Sequence, residues 1–227
     1  MKSKWINLTC KVLPKSIVNS MLKYPITESV DYGFDVTELD DVKIEASFYE
    51  KQVSKQSFRL PNGELVENDI LNIIIFDFVF YMVRDGYYIL CLKSPPRSIK
   101  TFLDKLEMIL ETQIYVSNMN INITSFIDGV YNIEDASQIS IQEILATDLA
   151  FDEKSTGEVK VKSNSNALDV LKNKFECGSY LLKSCKIVFF IHGKKVITKV
   201  THSGGIECSN MFEEHLFPIL YKTNPSI

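Results

Sequence analysis

ILNIIIFDFVFYMVRDGYYILCLK, residues Ile70–Lys93, is the stretch that decides how this chain folds. Strand alternation puts Ile73, Ile75, Asp77, Val79 and Tyr81 on one face and Ile74, Phe76, Phe78 and Phe80 on the other. A strand apolar on both faces is covered on both, by its own fold or by a partner. Asp85-Gly86 then predicts a hairpin onto Tyr87–Leu92, since glycine accepts the positive φ of a tight turn. A second apolar hairpin, Cys185–Thr201, turns near His192-Gly193, about half a chain further on.

Upstream, Val42–Arg59 alternates and then turns polar, as a long strand running out to a sheet edge does. Pro61-Asn62-Gly63 is a turn in which proline fixes φ and glycine takes a positive one. Trp5–Leu13 reads as a half-buried strand, and Pro14 opens a short helix through Tyr24. Downstream, Ile99, Phe102, Leu103, Leu106, Ile109 and Leu110 recur at helical spacing, started by Ser98 or by Ser94 with Pro95.

The stretch 118–137 is rich in Asn, Ser and Asp and reads as a connection between a unit over 1–117 and another over 138–227. In the second unit, Gln138–Phe151 and Glu158–Lys162 read as strands joined by Asp152–Gly157. A helix follows over Asn166–Phe175, with Gly178 just past its end. A last helix starts near Asn210, where Asn210 and Glu213 have capping-box spacing, and Pro218 bends or ends it. The expected fold is α+β, with two mixed or antiparallel sheet units, each a hairpin followed by a helix. The element order permits a ferredoxin-like arrangement in either half.

Composition narrows the function classes. Hydrophobic residues are 45% and charged residues 24%, which is ordinary for a packed globular protein and excludes a disordered chain. Only three of the 25 basic residues are arginine (Arg59, Arg84, Arg97). A surface of lysines holds phosphates but is poorly suited to bidentate reading of guanine. Five scattered cysteines without a paired motif fit buried, reduced thiols. The N-terminus lacks a secretory apolar core, and Ile70–Val83 is too short to span a bilayer. We therefore expect a cytoplasmic protein with no membrane association. Lys, Ile and Asn usage fits an AT-rich microbial or phage genome.

Four constellations carry chemistry to be tested. Lys93, Arg97, Ser98 and Lys100 crowd the start of the helix after Pro96, where free N–H groups and cations together favour a phosphate or carboxylate. From Glu158 to Val200 there are nine lysines against three acidic residues. Of these, Lys183, Lys186, Lys194, Lys195 and Lys199 lie in or beside the second hairpin, where they could track a nucleic-acid backbone. Asp148 and Asp152 followed by Glu158-Val159-Lys160 resemble the Asp…Glu-x-Lys arrangement of restriction-type nucleases. That resemblance covers a short stretch, and it implies carboxylates on a divalent metal with the lysine helping to activate water. Cys177, Cys185, His192, His202 and Cys208 fall within one span but match no tight zinc-chelating spacing.

Glycine-rich phosphate loops, Ser-His-Asp spacing and paired catalytic acids are missing, so the sequence assigns no cofactor and no metal. The expected function is a non-catalytic interaction or assembly subunit of a microbial or phage complex, its interface formed by Ile73, Ile75, Asp77, Val79 and Tyr81. Its expected partner is another protein or a second copy. The alternatives are a sequence-tolerant nucleic-acid-binding component and a metal-dependent nuclease.

Overall fold

The computed structural model describes residues 1–27, 29–40, 42–150, 155–175 and 180–223. Phe151, Asp152, Cys177 and Gly178 lie outside the described residues. The elements in chain order are β1 (Lys2–Thr9), α1 (Pro14–Met21), β2 (Tyr32–Leu39), β3 (Lys43–Arg59), β4 (Leu65–Arg84) and β5 (Tyr87–Lys93). Then come α2 (Lys100–Leu110), β6 (Tyr115–Asn118), α3 (Ile123–Tyr131), β7 (Ala136–Ala150), β8 (Thr156–Lys162) and α4 (Ala167–Lys174). The chain closes with β9 (Leu181–Ile191), β10 (Lys194–Thr201), β11 (Gly205–Cys208) and α5 (Glu213–Thr223).

The α+β composition is as expected, but the two separate sheet units with ferredoxin-like halves are not. The strands form one antiparallel sheet in the order β2-β3-β4-β5-β1-β11-β10-β9-β7-β8, with β6 beside β1. A ferredoxin-like half needs a split βαβ crossover. Here β2 to β5 are successive antiparallel hairpins, and β4 takes β3 and β5 as its two neighbours. Along Asp77–Arg84 both sides of β4 are taken, so no slot is left there for a crossover strand. The chain divides into two compact units, Asn7–Val116 and Met1–Ile6 with Ser117–Ile227.

In the Asn7–Val116 unit, the apolar face of the meander is built from phenylalanines. Phe102 of α2 places its ring 5.2 Å from both Phe48 and Phe76 and 5.0 Å from Phe78. Phe34 of β2 joins the cluster 5.3 Å from Phe48. The helical spacing of Phe102, Leu106, Ile109 and Leu110 buries one face of α2. Neither expected serine caps it: Ile99 holds the N-cap position, and Ser98 Oγ accepts only a long bond (3.4 Å) from the Lys100 amide. Gly86, at φ +74°, turns the β4–β5 hairpin, and its carbonyl accepts from the Cys10 amide.

In the other unit, Phe189 of β9 lies 5.2 Å from Phe212, which also meets Phe126 of α3 at 6.4 Å. His192 and Gly193 both have positive φ and close the β9–β10 turn between Ile191 and Lys194, the pattern of a type I′ hairpin. The stretch 118–137, expected as a connection, carries α3. Asn122 caps it by accepting from the Ser125 amide, and Ile123, Phe126, Ile127 and Val130 are its buried stripe. α5 continues through Pro218, and a 3-10 turn over Asn210–Phe212 precedes it without a side-chain cap.

Phe102→Ala should lower stability by about 3–5 kcal/mol, because three rings lose their common neighbour and the cavity cannot fully collapse. Urea unfolding followed by tryptophan or far-ultraviolet signal measures it.

Candidate functional site

β3 and β4 pair without a register shift from Lys43↔Tyr81 to Arg59↔Leu65. β2 accompanies β3 only as far as Glu50, and β5 accompanies β4 only from Asp77. Beyond these limits no other described strand accompanies the two, which continue as an arm roughly 30 Å long, at about 3.4 Å per residue. Its tip is the predicted turn: Gly63, at φ +86°, donates to the Leu60 carbonyl, and Asn62 Oδ1 accepts from the Glu64 amide.

The register sorts the arm's side chains onto two faces. One face carries Lys51, Val53, Lys55, Ser57 and Arg59 from β3 against Ile73, Leu71, Asp69, Glu67 and Leu65 from β4. On it Val53 (66% exposed), Leu71 (56%), Ile73 (54%) and Ile75 (63%) form a continuous apolar stripe open to solvent. The other face is mainly amide and hydroxyl, with Gln52, Ser54 and Gln56 against Asn72, Ile70 and Asn68. Asn72 donates to Ser54 Oγ across the strands at 3.1 Å. An isolated two-stranded ribbon is marginal in water, and a long free edge is a template for another strand.

The expected interface residues divide accordingly. Ile73 and Ile75 are exposed, Val79 is fully buried and Tyr81 is half-buried. Asp77 is exposed and accepts from the Ser47 hydroxyl at 2.6 Å, which answers its charge without burial. The apolar stripe therefore runs outward from Ile75, through Leu71 and Val53, rather than inward to Tyr81. Leu71 and Val53 escaped the sequence reading, although the loss of alternation after Tyr49 marked where the sheet ends.

Lys93 of the expected anion cluster turns to Glu45 at 2.7 Å. Burial pushes the Glu45 carboxyl up, but hydrogen bonds from Lys93 and Lys43 outweigh it and hold the group below its ordinary value. Arg97, Ser98 and Lys100 remain exposed at the start of α2.

Of the five hairpin lysines, Lys186, Lys195 and Lys199 share the solvent face of β9 and β10, with Lys199 directly opposite Lys186. Lys194 has the opposite parity, and Lys183 sits where the β7–β9 register shifts. The register continues a row of charges across the sheet: Lys2, Glu207, Lys199, Lys186, Glu143, Lys162. Lys2, Glu143, Lys160, Lys186, Lys199 and Glu207 line a depression of about 750 Å³ on this face. The two like-charged lysines are thus flanked by carboxylates, which offsets their repulsion.

Thr147 and Asp148 together oppose Glu158 across a register shift, with Asp148 at φ +59°. Lys160 instead bonds Glu143 at 2.8 Å. Among the described residues, no group of three or more His, Cys, Asp or Glu side chains comes together as a metal site. The residues of the zinc constellation are dispersed. His192 faces Asp135 at 3.6 Å, His202 Nδ1 lies 3.0 Å from the Ile121 carbonyl, and Cys185 and Cys208 are buried. Burial pushes the Cys185 thiol up to about 12, so it stays protonated at neutral pH.

The chain matches no protein-family model and has no match among the curated proteins. Among the described residues, no helix is long and apolar enough to cross a membrane.

The hydrogen bond from Lys160 and the charges of Lys162 and Lys199 hold the Glu143 carboxyl below its ordinary value, against a smaller desolvation effect. A depressed carboxyl stabilises the fold above its unfolded pKa, and that contribution disappears as pH falls through the folded one. Glu143→Gln removes it. The gap in melting temperature between wild type and variant should therefore shrink from about pH 7 to about pH 3.

Proposed function

We propose that this protein is a non-catalytic assembly subunit of a microbial or phage complex, docking another protein chain through the β3–β4 arm. The supporting observation is the stripe of Val53, Leu71, Ile73 and Ile75, exposed on a ribbon along which, among the described residues, no third strand runs. Burying those side chains is worth about 25 cal/mol per Å² removed from water, so the stripe is the strongest reservoir of binding energy on the arm. A contact there also gives the marginal ribbon its missing neighbour.

The test is a paired pull-down at moderate salt from the protein's own host, using the tagged wild type and the Ile73→Lys, Ile75→Lys double variant. Both side chains are exposed, so the variant should unfold within about 0.5 kcal/mol of wild type. The wild type should retain a chain in stoichiometric amount, a second copy included, which the variant loses. Equal retention by both, or none by either, contradicts the docking role.

A second reading, contact with a nucleic-acid backbone, is supported by Lys186, Lys195 and Lys199 sharing one sheet face. Filter binding at low salt should then fall steeply with added salt and with Lys186→Glu, Lys199→Glu. Absence of retention at low salt removes that reading.

A further inference from the structure

We propose that the depression over β9 and β10 binds a small organic phosphate, its phosphoryl group on Lys186 and Lys199 and its apolar body on Ile197. The inference is independent of the docking arm. It rests on the second reading only in using the same lysine face, to which it assigns a compact ligand in place of a polymer.

Lys199 stands directly opposite Lys186 in the β9–β10 ladder. Side chains so opposed start about 5 Å apart, so two ammonium groups crowd one place and repel. Lys186 is half-buried, and among the described residues neither ammonium group has a hydrogen-bonded or ion-paired partner. The carboxylates beside them are shared with other cations. Glu143, opposite Lys186, is held by Lys160 at 2.8 Å and by Lys162 at 3.9 Å. Glu207 lies between Lys2 and Lys199 in the register. The depression is thus lined by four lysines against two glutamates, in a chain whose net charge is −4.

That surplus selects the ligand's charge. A phosphate monoester carries about −1.5 to −2 near neutral pH, so one phosphoryl group answers both opposed ammonium groups. A carboxylate answers only one of them. Lysine holds phosphate as a point charge and does not need the planar fork of arginine. Lys186 has already lost part of its hydration, and an anion seated beside it makes good that loss.

Ile197 selects the rest of the molecule. It is 41% exposed, lines the same depression and lies two residues before Lys199 on the same strand face. At about 3.4 Å per residue, that sets an apolar step about 7 Å from the ammonium pair. A volume of about 750 Å³ is that of a small-molecule site. A nucleic-acid backbone fits the same face less well. Across the sheet, Glu207 and Glu143 stand one strand, about 4.8 Å, to either side of the pair. Along the strands toward the β9–β10 turn, the next row is Ile197 and Val188. A second phosphate placed in any of these directions meets a carboxylate or an apolar side chain.

The test is an NMR titration of the full-length protein with phenyl phosphate, inorganic phosphate and benzoate. Phenyl phosphate should shift the amides of Lys186, Ile197 and Lys199 saturably. It should bind roughly threefold tighter than inorganic phosphate and roughly tenfold tighter than benzoate. Lys186→Gln, Lys199→Gln should weaken it roughly tenfold, whereas Lys183→Gln, Lys194→Gln, outside the depression, should leave it unchanged. The first double variant should melt no lower than wild type, because it removes two opposed like charges. Ile197→Ser should abolish the preference for phenyl phosphate over inorganic phosphate and leave inorganic phosphate binding as it was. Shifts that do not saturate, equal weakening by both double variants, or benzoate binding as tightly overturn the inference. If phenyl phosphate fails to bind while filter binding retains nucleic acid, the compact ligand is wrong and the backbone reading stands. If neither binds, both fall.

Discussion

The unbroken register between β3 and β4 is the constraint from which the rest of the structure follows. At its inner end the register places Phe48 beside Phe76 and brings both under Phe102, which makes the core of the Asn7–Val116 unit. At its outer end the same register carries the strands past β2 and β5 into solvent. One uninterrupted pairing thus produces both the most buried and the most exposed apolar surface of that unit. A single bulge would have twisted the strands apart and ended the arm early. None interrupts this pair, whereas β2–β3, β4–β5, β7–β8 and β7–β9 all have register shifts.

Much of this was legible in the sequence, for local reasons. The turns at Pro61-Asn62-Gly63, Asp85-Gly86 and His192-Gly193 announce themselves because they need particular φ values. The stripe from Phe102 to Leu110 announces α2 because it repeats at helical spacing. The topology was not legible, because pairing order depends on contacts distant in sequence. Strand–helix–strand–hairpin order fits a ferredoxin-like half and a hairpin meander equally well. Helix α3 was hidden for a different reason. Its stripe of Ile123, Phe126, Ile127 and Val130 and its Asn122 cap were present, but the polar residues around them gave the segment the composition of a linker.

The candidate site was half legible. Ile73 and Ile75 stood out because β4 is apolar on both faces, but alternation alone cannot say where along a strand the covering elements stop. The covered part, around Val79, and the open part, from Ile75 outward, have the same pattern. Burial decides between them, and it is set by where β2 and β5 end. The charged residues behave similarly. Lys93 is expected at an anion site and Lys160 beside a metal site, yet each faces a carboxylate of the protein, Glu45 and Glu143 respectively. Neither pairing can be inferred from local sequence.

Hydrogen exchange of the β4 amides, in the protein alone and in the complex eluted from the host pull-down, tests most directly whether the arm is built to take another chain. Along Leu65–Ile75, protection should be weak in the protein alone and rise in the complex, while Phe76–Phe80 amides stay protected throughout. Protection of the arm that is equally strong in both, or equally weak in both, would contradict the account. The first result would mean that the ribbon is stable alone, and the second that the bound chain docks elsewhere.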